Sequence, residues 1–222
     1  MSLWVKICGN TSLADAQLAA DAGADAVGFV FAPSPRNVTP EQVAVITPHL
    51  PASIEKIGVF VDADFDAIAG AVEQAGLTGV QLHSSGRDGL SGQLRERFGA
   101  GLRILRVIHF GENALEQLNS VRTDATIDAV LVDSRTATAV GGTGIAFDWQ
   151  VARATLFSGE SPLKLIAAGG LNPANVAEAI ATLDPWGVDV VTGVESSPGR
   201  KDANKVREFI TKARASRLSG TH

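Results

Sequence analysis

The chain has 222 residues, 45% of them hydrophobic and 19% charged, with a formal net charge of −5. A chain of this length buries roughly 70% of its unfolded surface and needs no covalent staple; its one cysteine, Cys8, excludes an internal disulfide and a multi-thiolate zinc site. The acidic balance argues against nucleic acid as a partner, MSLWVKIC has no signal-peptide run, and no apolar stretch approaches the roughly 20 residues that span a bilayer, so a soluble, cytoplasmic protein is expected.

Short β-branched, apolar runs alternate with Ala/Leu-rich stretches of helical spacing along the chain. The first strand is predicted over residues 3–8, ending in Cys8-Gly9, and a helix over 12–22 follows. The second strand, 25–31, runs into the loop APSPRNVTP with Arg36. Thr39 and Pro40 then open a helix over 40–47, as a cap and a first-position proline do. The third unit joins a strand over 54–61 to a helix over 65–75. The fourth strand, 79–83, ends Gln81-Leu82-His83 before a helix over 90–98, and the fifth, 103–110, precedes a helix over 114–121. The sixth, 127–133, ends in Asp133-Ser134; a long glycine-bearing loop over 134–147 has the character of a closing lid. Asp148 caps the next helix, 149–157. The seventh strand, 163–168, runs into Gly169-Gly170, with Pro173 opening a helix over 173–182. The eighth, 188–193, ends in Thr192-Gly193, and a helix over 204–215 closes the series. The basic residues Lys201, Lys205, Arg207, Lys212, Arg214 and Arg217 read as cations gathered toward the C-terminal end of that helix, where its dipole favours them.

Eight consecutive βα units with no change of composition imply a parallel sheet. Strands such as AVGFVF and AVLVD, apolar on both faces, imply burial on both sides. The resulting architecture is a (βα)₈, or TIM, barrel forming one domain over residues 1–222. An open doubly wound sheet fits less well, because the first turn, CGNTS, lacks the spaced glycines of a dinucleotide fingerprint.

Barrel active sites lie at the C-terminal ends of the strands. Gly169-Gly170 and Thr192-Gly193 stand there as phosphate candidates, since glycine lets backbone N–H groups approach an anion. A short helix near residues 198–204 is expected to add its dipole. Strand alternation puts Lys6 on the face of Cys8, where an ammonium would lower the thiol pKa and favour thiolate; a buried structural cysteine is the other reading. Asp133 closes an apolar run, so its carboxyl is expected to be desolvated, raised in pKa and fit to donate a proton. Arg36, in a loop stiffened by Pro33, Pro35 and Pro40, suits a carboxylate, or else is a solvated surface arginine. His83 is either a site residue or a strand-end histidine.

Read in order, VKICG, SPRNVTPEQ, KIGVFVD, GVQLH, LVDS, GGTGIAFDW, AAGGLNPANV and GVDVVTGVESSPGRKD cover nearly the whole chain. Together they resemble the phosphoribosylanthranilate isomerase family of tryptophan biosynthesis. Two departures are Thr192, where the family more usually has serine, and Ser84-Ser85-Gly86 after His83, where glycine commonly follows directly. The resemblance implies an Amadori rearrangement of N-(5-phosphoribosyl)anthranilate to 1-(2-carboxyphenylamino)-1-deoxyribulose 5-phosphate. It implies Asp133 as general acid on the ring oxygen, Cys8 as the base that takes the C2′ proton, and Arg36 on the anthranilate carboxylate. The seventh and eighth loops would hold phosphate, with no metal or other cofactor; Asp189 either orients substrate or serves the fold. The related sugar isomerase of histidine biosynthesis, or a barrel serving both pathways, carries a carboxylate where Cys8 stands and is disfavoured. A catalytically silent phosphosugar-binding regulator should have lost the acid or the base. The sequence leaves the oligomeric state open, with a monomer favoured over a homodimer.

Overall fold

The computed structural model describes residues 3–83, 89–133, 148–157 and 163–218. Eight strands alternate with eight helices in chain order: β1 (Trp4–Ile7), α1 (Leu13–Asp21), β2 (Ala26–Val30), α2 (Pro40–Ala44), β3 (Glu55–Val61), α3 (Phe65–Ala75), β4 (Gly79–His83), α4 (Leu90–Phe98), β5 (Arg103–His109), α5 (Ala114–Val121), β6 (Ala129–Asp133), α6 (Trp149–Thr155), β7 (Lys164–Ala168), α7 (Val176–Leu183), β8 (Gly187–Val190) and α8 (Ala203–Leu218). A two-stranded hairpin, β9 (Glu195–Ser197) and β10 (Arg200–Lys201), lies between β8 and α8. The eight main strands pair in parallel and in sequence order, and β1 closes on β8 from Trp4↔Gly187 to Ile7↔Val190. This is the expected (βα)₈ barrel. Among the described residues no helix is long and apolar enough to cross a membrane.

Two buried layers follow from strand alternation. Outward-facing residues such as Val5, Ile7, Val27, Val130 and Val188 pack under the helices in the larger core. Inward-facing Trp4, Ala26, Ile57, Leu105, Val107, Leu131 and Ile166 fill the barrel itself. At the N-terminal end Trp186 stacks on Trp4, ring centroids 5.3 Å apart, with the cations of Arg103 and Lys164 over the Trp186 ring. That end is therefore plugged, and ligand access is left to the other.

The local signals held at most helix starts. Thr39 and Gln42 form a reciprocal capping box ahead of Pro40, and Asp148 accepts from the N–H groups of Gln150 and Val151. Four boundaries differ from expectation. α2 stops at Ala44 and a separate 3₁₀ turn spans Thr47–His49, because Pro48 has no N–H to continue the helix and crowds the residue before it. α7 begins at Val176 rather than Pro173. Asn172 Oδ1 accepts from the Ala174 N–H and Asn175 Oδ1 from the Asn172 N–H, so side chains take the bonds that a helical first turn would make. β8 ends at Val190, and Thr192 and Gly193 belong to a 3₁₀ turn, Thr192–Val194. The helix expected near residues 198–204 is instead the β9–β10 hairpin, with Gly199 at its bend and α8 starting at Ala203. The expected lid, residues 134–147, and Ser84-Ser85-Gly86 lie outside the described residues.

Candidate active site

Going up the barrel, the interior changes from apolar to polar over one alternation step. Lys6, Gln81 and Asp189 form the first polar layer, all buried. The Lys6 ammonium donates to Gln81 Oε1 at 2.7 Å and to Asp189 Oδ1 at 2.9 Å, joining β1, β4 and β8 across the lumen. One step further toward the C-terminal ends stand Cys8 just beyond β1, His83 on β4, His109 on β5 and Asp133 on β6. Removing one partner of a buried ion pair such as Lys6–Asp189 costs about 3–5 kcal/mol, so Asp189 is held first of all by the lysine beside it.

Cys8 is 3% exposed. Space for it comes from β2, where a Cβ on Gly28 would stand 2.5 Å from Cys8 Sγ and 2.9 Å from Lys6 Cε. The expectation of a lowered thiol pKa is overturned: burial pushes the thiol above its ordinary value, and the Lys6 ammonium offsets only part of that while Asp189 adds to it. Desolvation of a sulfur sealed inside the barrel outweighs one neighbouring charge that is itself neutralised by a carboxylate. Lys6 keeps its proton, since Asp189 and Cys8 outweigh the burial that opposes it.

Asp133 is 2% exposed at the end of β6, in register with His109 on β5 and Ala168 on β7. His83 is half-buried, and the Gln81 amide N–H donates to its Nε2 at 2.9 Å. Because the Gln81 oxygen is taken by Lys6, its NH₂ faces His83, and a neutral His83 ring carries its proton on Nδ1. The His83 and His109 rings lie 6.1 Å apart, and His109 Nδ1 is buried without a hydrogen-bond partner among the described residues. Neither Gln81 nor His109 was singled out from sequence. A lysine and an aspartate inside otherwise apolar strands, Lys6 in WVKI and Asp189 in GVDV, were the signal that a polar layer exists.

Arg36 is not a solvated surface arginine. Its guanidinium meets Glu195 side-on, Nε to Oε1 at 2.8 Å and Nη2 to Oε2 at 2.6 Å. Its stem lies over the end of β1, where a Cβ on Gly9 would stand 2.8 Å from Arg36 Cδ. Lys201 is placed on β10, not on the last helix, and its buried ammonium donates to the Cys8 carbonyl at 2.6 Å and to Glu195 at 3.2 Å. The grouping of basic residues is corrected accordingly: Lys201 belongs to the barrel mouth, whereas Arg214 on α8 binds Leu3 O, Gly23 O and Asp25.

The two glycine loops touch. A Cβ on Gly193 would overlap the Leu171 carbonyl oxygen and stand 2.9 Å from Asn172 Cα, so only glycine lets the turn after β8 pack on the loop after β7. Gly169 and Gly170 both have positive φ, 83° and 66°, which redirects the chain into that contact. Thr192 opens the same 3₁₀ turn. The mouth thus has the thiol of β1 beside the Arg36–Glu195–Lys201 cluster, the carboxyl of β6 beside His109, and the paired glycine loops of β7 and β8 between them in the strand order.

Comparison with known proteins identifies the family of the chain. The family described as N-(5′-phosphoribosyl)anthranilate (PRA) isomerase matches residues 5–212. An N-(5′-phosphoribosyl)anthranilate isomerase from Pelobacter propionicus is 43% identical over 221 residues, covering 98% of each chain. A solved phosphoribosylanthranilate isomerase in complex with reduced 1-(o-carboxyphenylamino)-1-deoxyribulose 5-phosphate superposes with a TM-score of 0.80 at 33% identity, over 96% of this chain and 99% of the other. Monomers generated from the dimeric enzyme of Thermotoga maritima match equally, with a TM-score of 0.80, 33% identity and the same coverage. With the family model matched over residues 5–212 and a relative 43% identical along nearly the whole chain, the chain belongs to the N-(5′-phosphoribosyl)anthranilate isomerase family.

Proposed function

We propose that this chain converts N-(5′-phosphoribosyl)anthranilate to 1-(2-carboxyphenylamino)-1-deoxyribulose 5-phosphate, with Asp133 as general acid and Cys8 as general base. The observation that carries the assignment of roles is the pairing of a buried carboxyl and a buried thiol at inward strand ends of one barrel mouth. In the first step the Asp133 carboxyl protonates the furanose oxygen as the C1′–O bond breaks. The anilino nitrogen supplies the electron pair, leaving an open-chain iminium and an Asp133 carboxylate. In the second, the Cys8 thiolate takes the C2′ proton and those electrons return to nitrogen, giving a neutral enolamine. Loss of the C2′ hydroxyl proton and protonation at C1′ then yield the ketone. The rearrangement is redox-neutral overall; to reset, the Asp133 carboxylate regains a proton and the Cys8 thiol gives one up by exchange with solvent.

The phosphate is assigned to Gly169-Gly170 and Thr192-Gly193, where the close contact of the two loops supports one shared anion site. His83 is assigned to substrate, its ring oriented at the barrel mouth by the Gln81 amide. Each mouth has its own acid, base and candidate anchors, which supports a chain that works as a monomer. The direct test is turnover of freshly prepared substrate by the purified protein, followed by loss of anthranilate fluorescence; a folded protein with no turnover refutes the assignment.

Arg36 is assigned to the anthranilate carboxylate. Glu195 occupies the Nε/Nη2 side of its guanidinium, and the opposite Nη1/Nη2 edge has the geometry of a second carboxylate pairing. Replacing Arg36 by Met is expected to weaken binding of the reduced product analogue roughly tenfold to a hundredfold, the range for a lost charge-assisted hydrogen bond. Inorganic phosphate should bind as before. Calorimetry with both ligands checks this, and equal weakening of the two contradicts the role.

A further inference from the structure

We infer that Glu195 is a positioning residue that sets the enzyme's preference for a carboxylate-bearing aryl group, acting through Arg36. The inference rests on the assignment of Arg36 as the carboxylate anchor. Glu195 opens β9 with a side chain only 4% exposed, and its oxygens are fully engaged: Arg36 Nε, the Gly199 N–H and Lys201 Nζ at Oε1, and Arg36 Nη2 at Oε2. Burial alone would push its carboxyl up, but the hydrogen bonds from Arg36 and the charge of Lys201 outweigh it and hold the group below its ordinary value, so it is ionised.

An arginine on a loop has many rotamers, and a free guanidinium spends entropy to meet a ligand. Side-on pairing with Glu195 fixes the plane and leaves one edge, Nη1 with the second Nη2 hydrogen, as the donor fork. Glu195 supplies the geometry, and the positive charge comes from its two partners. Arg36 and Lys201 bring two positive charges against the one negative charge of Glu195, so the cluster keeps a net positive charge. An aryl carboxylate is attracted, while a neutral aryl group gains nothing from it. Lys201 also holds the Cys8 carbonyl, so a single carboxylate ties the anchor to the strand end that carries the thiol and sets the spacing between them. A salt bridge serving only the β9–β10 hairpin would have no reason to reach across to the loop after β2.

The test compares two reduced product analogues by calorimetry, one with the aryl carboxylate and one without it, on full-length protein. Glu195→Gln removes the charge; Glu195→Asp keeps a charge for Lys201 and withdraws the carboxylate by one methylene. In each folded variant the affinity ratio between the two analogues is expected to shrink roughly tenfold or more, mostly through the carboxylated ligand. If either folded variant retains the parental ratio, or prefers the carboxylated analogue more strongly, Glu195 does not position Arg36 and the inference is overturned. Arg36→Met serves as the separating control. A parental ratio in that variant removes the anchor assignment itself, whereas a collapsed ratio there with an unchanged ratio in the Glu195 variants removes this inference alone.

Discussion

Asp133→Asn is expected to bind the reduced product analogue and to turn over almost no substrate. Ring opening needs a proton delivered to the furanose oxygen as the C–O bond breaks, because an alkoxide is a poor leaving group at neutral pH. An amide has the shape of the carboxyl and an N–H to donate in a hydrogen bond, but no transferable acidic proton. A positioned general acid is worth about 10² to 10⁴ in rate, or roughly 3–5 kcal/mol of barrier at 1.36 kcal/mol per decade. The position is buried at the end of β6, with Leu131 and Ala129 below it on the same inward face. The substitution changes neither volume nor strand propensity, so the barrel should form as before. Turnover by fluorescence and analogue binding by calorimetry, run on one preparation, check the claim. Substantial remaining turnover, or a loss matched by weaker binding, moves the acid elsewhere on the mouth.

The fold was legible because a closed parallel barrel writes a redundant signal: each strand is apolar on both faces, and each is followed by a helix that must return the chain to the same end. The errors fell where local chemistry overrides periodicity. Pro173 looks like a first helical position in sequence, yet Asn172 Oδ1 accepts from the Ala174 N–H and Asn175 Oδ1 from the Asn172 N–H, a turn that delays α7 to Val176. Likewise VTGVESSPGRKD has few long-range signals of its own. Its hairpin forms because Glu195 and Lys201 find each other and Arg36 on a distant loop, a pairing no local pattern encodes.

The same distinction divides the site. Cys8, Asp133, Arg36 and the glycines could be placed at one barrel mouth because strand ends are legible in the sequence. What the sequence reading got wrong was the electrostatic balance at Cys8. Alternation correctly put Lys6 beside it, but not the depth of both, nor the fact that Asp189 already neutralises the ammonium. Burial and third-party charges are properties of the assembled barrel, and these two reverse the direction of the thiol's shift. Gln81 was passed over for a similar reason: a glutamine in a strand is unremarkable until its oxygen meets a lysine and its nitrogen a histidine.

Replacing Cys8 by Ala is expected to leave the barrel folded and reduce turnover by about 10² to 10⁴, the contribution of a general base. The stability cost should be on the order of 1 kcal/mol, since one buried sulfur is lost with no change to the backbone. The parent enzyme's pH profile carries the companion signature. Only the thiolate accepts the C2′ proton, and with the thiol raised above its ordinary value the thiolate is the minor form at neutral pH. Its fraction grows as pH rises, so the rate of C2′ proton abstraction, isolated in single turnovers with deuterium at C2′, should climb from neutral into the alkaline range and level off only above the raised pKa, a rise not shared by ring opening, which needs Asp133 protonated. Lys6 is itself raised, so the neighbouring ammonium stays in place across that climb. The minor form compensates in part by being the stronger base, because a thiolate of higher pKa pulls harder on a carbon-bound proton. In the alanine variant the residual rate should lose this alkaline rise along with its magnitude. A variant that turns over at more than half the parental rate, or a parental profile already flat below neutral pH, would remove Cys8 from the role of base.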